Sequence, residues 1–149
     1  MKKAVICDLD GTLCNIEHRH HLITDPEKKK RDWKAFYADM VNDGLNVWCY
    51  SIISALANQG IHIFHVTGRP EEYRSQTMDW LRRHSCPING LYMRPLKDNR
   101  QDDIVKKEIY ETILKPSYEV LFCLEDRSRV VQMWRSLGLV CLQVDEGNY

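Results

Sequence analysis

The chain has 149 residues, enough for one domain with a core of its own. Its 21 Lys+Arg balance 21 Asp+Glu, so no global basic field exists to hold long nucleic acid nonspecifically, and any nucleic-acid contact has to be local. With 44% hydrophobic and 28% charged residues the composition is ordinary for a globular protein, and no apolar stretch approaches the roughly 20 residues of a membrane span.

Ala4 to Asp8 reads as a buried strand. It runs into Asp8-Leu9-Asp10-Gly11-Thr12, where two carboxylates one residue apart at a strand's end can point into one site. Gly11 lets the backbone turn sharply and approach a ligand. These are the parts of an aspartyl-phosphate site: a nucleophilic carboxylate, a neighbouring acid/base and a place for a hard cation. An ordinary acidic turn has the same look, and three further motifs downstream decide between the two.

Residues 17–45 interrupt the pattern. Asp25-Pro26 reads as an N-cap followed by proline at the first helical position. Trp33, Phe36, Tyr37, Met40 and Val41 then fall at helix spacing. The plain reading is a stripe packed on the body; the functional one is a small lid offering an aromatic to a base or sugar. Lys28 to Arg31 reads as a solvated helix face ahead of a localisation or phosphate-binding patch. His18, His20 and His21 flank Arg19, as a solvated loop or as phosphate contacts; suitably spaced zinc partners are missing.

Asn46 to Gln59 is predicted as a helix with Cys49, Ile52, Ile53 and Leu56 on one face and Gly60 as its stop. Ile61 to Val66 is the second strand, ending in Thr67-Gly68-Arg69. There a hydroxyl, a bare backbone and the next helix's N-terminus can hold phosphate oxygens. Arg69 can add a bidentate contact. Glu71 to His84 is the next helix, with Tyr73, Thr77, Trp80 and Leu81 on one side, and Gly90 to Met93 is a short strand.

Asp102 to Leu114 is predicted helical through Val105, Ile109 and Ile113. Lys106 in its first turns reads as a surface residue or as the lysine that neutralises a transferring phosphoryl group. Asp102 lies four residues before it and can orient it or a nearby arginine. Val120 to Leu124 is a strand ending in Glu125-Asp126. With Asp8 and Asp10 this acidic pair makes an all-oxygen ligand set that favours Mg²⁺, although helix N-capping would use it too. Ser128 to Leu137 is the last helix, with Val130, Val131, Trp134 and Leu137 inward, and Leu139 to Val144 the last strand.

The alternation predicts a Rossmann-like α/β fold, a mostly parallel sheet with helices on both faces. Ligands bind beyond the C-terminal ends of such strands, where the acidic pairs and Thr67 fall. The six cysteines (Cys7, Cys14, Cys49, Cys86, Cys123, Cys141) form no CxxC pair and read as small buried hydrophobes. Met1-Lys2-Lys3 leads straight into a strand, which leaves no room for a signal peptide and predicts a cytoplasmic protein.

On Asp8-Leu9-Asp10-Gly11-Thr12, Thr67, Lys106 and Glu125-Asp126 the chain resembles the haloacid dehalogenase (HAD) superfamily of phosphohydrolases over nearly its whole length. The resemblance implies one HAD-like domain spanning 1–149, with residues 17–45 as a small helical cap insertion. It implies that Asp8 attacks phosphorus and that Asp10 protonates the leaving oxygen and then activates water. Thr67 and Lys106 would hold phosphoryl oxygens. Asp8, the Asp10 carbonyl and Glu125 or Asp126 would bind Mg²⁺.

The chain is also similar to the 3′-phosphatase domain of phage polynucleotide kinase-phosphatases. The segments that carry this are Gly68-Arg69, Arg100-Gln101-Asp102-Asp103-Ile104-Val105-Lys106, Glu125-Asp126-Arg127, Val130-Val131-Gln132-Met133-Trp134-Arg135 and Cys141-Leu142-Gln143-Val144 with Gly147. That similarity implies a 3′-phosphatase acting on nucleic-acid ends or nucleotides, in a host cytoplasm if phage-encoded. Arg19 takes the place of an arginine that contacts substrate or supports the site; Arg69 and Asp102 match further functional positions, alongside Gly68 in substrate binding. Three departures stand out. No GxxxxGK[ST] loop occurs, so this chain carries no kinase half. The family's Asp-Asp is Glu125-Asp126. Residues 17–45 are longer and more aromatic than in the bifunctional enzymes. Two other readings stay open: a 5′-nucleotidase on free nucleoside monophosphates, and a catalytically idle module that binds nucleic-acid ends.

Overall fold

The computed structural model describes residues 1–149. Five parallel strands form the central sheet: β1 (Lys2–Cys7), β4 (His62–Pro70), β5 (Gly90–Arg94), β6 (Tyr118–Arg127) and β7 (Cys141–Gly147), in the order β5-β4-β1-β6-β7. β1 is central and alternates its side chains between the two faces, as a strand's twofold period requires. Val5 and Cys7 join a cluster with Cys49 and Ile53 of helix α3 (Val47–Asn58) and Trp80 and Leu81 of α4 (Arg74–Arg83). Ala4 and Ile6 join the opposite cluster, with Val105 and Ile109 of α5 (Asp102–Ile109) and Val130, Val131 and Trp134 of α6 (Ser128–Ser136). The fold is therefore α/β with helices on both faces. All six cysteines are buried and unpaired. No helix is long and apolar enough to cross a membrane.

Several elements differ in extent from the sequence pattern. β4 runs on to Pro70, and a 3₁₀ turn over Glu71–Tyr73 precedes α4, so the helix does not begin directly after Thr67-Gly68. α5 gives way to a five-residue π-helical stretch, Tyr110–Leu114, which turns Ile113 outward while Leu114 is buried. Ile52 on α3 is exposed as well.

Residues 17–45 depart furthest. Two short antiparallel strands, β2 (Cys14–Asn15) and β3 (Gly44–Leu45), bracket this segment, whose Ile23 and Phe36 pack into the same core cluster as Val5 and Cys7. Between them lie α1 (Glu17–Thr24), α2 (Trp33–Ala38) and a 3₁₀ turn over Asp39–Asn42. Asp25-Pro26 ends α1 rather than starting a helix; the N-cap is Asp32, whose side chain accepts from the Ala35 amide at 3.0 Å. Lys28 to Arg31 are exposed but outside any helix. Of the aromatic stripe, Phe36 and Met40 are buried, Trp33 and Tyr37 half-buried and Val41 exposed.

Candidate active site

The sheet register assembles the site. Cys7 lies level with Leu124 on one side and His65 on the other. One step on, Asp8 leaves β1 beside Glu125, and Thr67 comes directly after Val66 on β4. The acids and the threonine therefore share the C-terminal edge of three neighbouring strands, above which a pocket opens.

Asp8 is held from two sides. Lys106 Nζ donates to its Oδ1 at 2.9 Å, and Thr12 Oγ1 to its Oδ2 at 3.2 Å. Lys106 is 1% exposed and also donates to Glu125 Oε2 at 2.8 Å, with Asp102 Oδ2 at 3.7 Å. Burial alone would strip its proton, but Asp102, Asp8 and Glu125 outweigh that and hold its pKa well above the usual lysine value. It is a charged lysine inside the fold, not a surface one.

Asp8, Glu125 and Asp126 bring carboxylate oxygens within 4.8 Å of one another, all buried. Burial first, and the Asp8 charge second, push the Glu125 carboxyl up and raise that of Asp126 to about 8. Three acids therefore face one lysine, an arrangement short of positive charge. Oδ1 of Asp126 is buried with no hydrogen-bond partner. Gly11, at φ +80°, stands so close that a Cβ there would lie 2.2 Å from Asp126 Oδ2. The glycine of the first motif is required by its neighbour across the site as well as by the turn.

Asp10 faces the other way. Its carboxylate receives Arg69 Nη2 at 2.6 Å and Arg19 Nη2 at 2.5 Å, with Arg69 Nε at 3.1 and 3.2 Å. Burial would raise its pKa, but Arg69 and Arg19 hold it well below the usual carboxylate range. Behind them stands Asp43, which accepts from Arg19 Nε at 2.7 Å and Nη2 at 2.6 Å, and from Arg69 Nη2 at 3.4 Å. His18 joins it at 2.7 Å and reaches Asp39 at 3.1 Å. His18 thus sits on helix α1 against two acids rather than in a solvated loop. Arg19 and Arg69 are 0% and 1% exposed and do not line the pocket.

Thr67 is buried at the pocket wall, its Oγ1 accepting from the Arg69 amide at 3.2 Å. Gly68 makes room for Asp102: a Cβ would lie 2.2 Å from Asp102 Oδ1. Asp102 sits among Lys106, Arg94 at 3.8 Å and Arg127 at 3.6 Å.

Two residues of this neighbourhood carry no signal in the sequence. Asp43 is an acid in a turn whose partners lie 24 and 26 residues away. Tyr149 donates its phenol to Asp126 Oδ2 at 2.7 Å.

The pocket's floor is acidic and its rim basic. Arg31, Lys97 and Arg129 line the rim, are exposed, and take part in none of the protein's ion pairs. Arg100 is committed to Asp98 at 2.7 Å and to Glu108. One wall comes from α2, where Trp33 and Tyr37 stack at 5.8 Å with their planes 23° apart.

Residues 2–149 match the family described as the polynucleotide kinase PNKP phosphatase domain. A protein of Autographa californica nuclear polyhedrosis virus, described as a putative bifunctional polynucleotide kinase/RNA ligase, is 28% identical over 140 residues, covering 92% of this chain and 18% of the viral protein. The solved Pnkp1/Rnl/Hen1 complex contains a chain with a TM-score of 0.84 and 32% identity, spanning 100% of this chain and 48% of that one. This chain thus spans less than half the length of either relative. Class C acid phosphatase from Bacillus anthracis shares the fold at a TM-score of 0.72 and 13% identity, over 99% of this chain and 68% of that enzyme. With its motifs converging on one pocket and its whole length matched, the chain is a phosphatase that belongs to the polynucleotide kinase phosphatase-domain family of the HAD superfamily.

Proposed function

We propose that the protein is a Mg²⁺-dependent phosphomonoesterase that removes the 3′-phosphate from nucleic-acid ends through an aspartyl-phosphate on Asp8. The observation that carries this reading is the buried trio of Asp8, Glu125 and Asp126 against the single cation of Lys106, at the floor of a basic-rimmed pocket. The donor set fits a hard divalent cation: every ligand atom is oxygen, and Oδ1 of Asp126 is buried without a partner. Both oxygens of Glu125 are engaged, by Lys106 and by the Arg127 amide at 3.3 Å, so Oδ1 of Asp126 is the one oxygen of the acidic pair left without a partner. Asp8, Asp126 and the Asp10 carbonyl would hold Mg²⁺, which when bound supplies positive charge to the phosphoryl oxygens.

Asp8 is the nucleophile. Its carboxylate oxygen forms a bond to phosphorus as the bond to the leaving 3′-oxygen breaks. Lys106, 2.9 Å from Asp8, stays beside the phosphoryl group, and Thr67 offers a hydroxyl to the same oxygens. Asp10 rests as a carboxylate on Arg19 and Arg69. To act as the acid it leaves that clasp and takes up a proton, which an arriving anionic phosphate favours by raising its proton affinity. The same carboxylate then draws the proton from the water that hydrolyses the aspartyl-phosphate. Residues 17–45 act as a small cap, whose α2 wall roofs the pocket.

The rim favours a strand over a lone nucleotide. Arg31, Lys97 and Arg129 are placed to meet phosphodiesters next to the terminal phosphate, and Trp33 and Tyr37 offer aromatic surface to a base. A 3′-phosphorylated oligonucleotide is expected to be dephosphorylated with a lower KM than a 3′-mononucleotide. Its log KM should rise with log[salt], and Arg129→Ala should cut that slope by about 0.7, the value for one phosphate contact on a single strand. Faster release from a 5′-mononucleotide would move the assignment to nucleotidase.

A metal-removal experiment tests the cation directly. Transfer from EDTA into Mg²⁺ at a hundredfold excess over its Kd is expected to stabilise the fold by about 2.7 kcal/mol, seen as a rise in Tm. An unmoved Tm would remove Mg²⁺ from the site.

A further inference from the structure

We propose that Tyr149 is a positioning residue for the cation: its phenol pins Oδ2 of Asp126 so that Oδ1 is the atom offered to the metal. The proposal rests on the metal reading above and adds a residue to it. A free carboxylate presents two equivalent oxygens. Here they differ. Oδ2 accepts from Tyr149 Oη at 2.7 Å and lies against the Gly11 backbone, whereas Oδ1 is buried and unpartnered. A phenolic donor on Oδ2 draws electron density from that oxygen and fixes the carboxylate plane, which leaves Oδ1 as the better ligand.

The chain after β7 is built to deliver this ring. At Gly147 a Cβ would lie 2.6 Å from the Asp126 carbonyl oxygen, so only glycine lets the backbone cross residue 126 at this height. Gln143 Nε2 donates to the same carbonyl at 3.2 Å. Arg127 Nε donates to the Tyr149 main-chain oxygen at 2.5 Å, and its guanidinium sits 5.0 Å from the ring centre. On the other side His20 of α1 meets the ring edge-on, 5.0 Å away at 81°. The phenol is thus clamped between the metal-side strand and the segment 17–45.

Tyr149→Phe keeps the ring and its packing and removes only the donor. Mn²⁺ serves as the probe, with free Mn²⁺ read by electron paramagnetic resonance in a direct titration. The expected result is a Kd for Mn²⁺ raised about tenfold, the lower end of what loss of a ligand's hydrogen-bond partner costs, at an unchanged Tm. Activity lost at low Mg²⁺ should return at high Mg²⁺. A Kd equal to wild type in Tyr149→Phe, weakened only in Tyr149→Ala, would overturn the proposal and leave the ring as packing. A wild-type protein that takes up no Mn²⁺ would overturn the metal reading itself, and this proposal with it.

Discussion

Asp8→Asn is expected to lower kcat by at least about 10⁴-fold, the scale on which loss of a nucleophile registers, without lowering the Tm of the metal-free protein. The two halves of this result have one cause. An amide has no anionic oxygen to attack phosphorus, so no aspartyl-phosphate forms. The same change deletes one negative charge from a cluster in which Asp8 raises the pKa of both Glu125 and Asp126. Lys106 keeps Glu125 at 2.8 Å as its partner, so its charge stays compensated. Phosphate release and a thermal melt on one sample check both halves. Near-normal metal-dependent turnover would remove Asp8 from the chemistry. A collapsed melt would mean that the Lys106–Asp8 contact at 2.9 Å matters more to the fold than the repulsion it offsets.

The parts of this molecule that repeat locally could be read from residues alone. β1 announces itself by four apolar residues before an acid, and the helices by their threefold and fourfold spacing. The three strand-end motifs could be found for the same reason: parallel topology brings every strand's C-terminal end to one edge, so chemistry-bearing residues after apolar runs must meet. Residues 17–45 defeated that logic. α1 buries only Arg19 and Ile23, and its histidines disguise it as loop. Arg19 is marked in the sequence only by resemblance, as an arginine that contacts substrate or supports the site; its partners Asp10 and Asp43 lie 9 and 24 residues away, where local spacing cannot point to them. Pro26 stands after the end of a helix as readily as it begins one, and tertiary context chose the former. Tyr149 is similarly silent, since its partner lies 23 residues away.

Asp43→Ala is expected to cost about 3–5 kcal/mol of folding stability, the range for removing one partner of a buried ion pair. Asp43 is 4% exposed and shares Arg19 and Arg69 with Asp10, so two buried cations face two acids in a balanced set. Without Asp43 one positive charge is left over where water does not reach it. The loss is large against a typical total of about 5–15 kcal/mol, and urea denaturation would show it as a lower midpoint. Charge balance makes a sharper demand. Arg69→Met alone leaves an acid in excess, and Asp43→Asn alone leaves a cation in excess, but the double variant is neutral again. Its destabilisation should therefore fall short of the sum of the two singles by about 1–3 kcal/mol. Strict additivity would mean that the two residues merely fill space. The coupling also bears on turnover. With Asp43 gone, both arginines concentrate on Asp10 and hold it harder as an anion, so a variant that still folds should lose most on substrates whose leaving oxygen needs a proton and least on an aryl phosphate that departs without one.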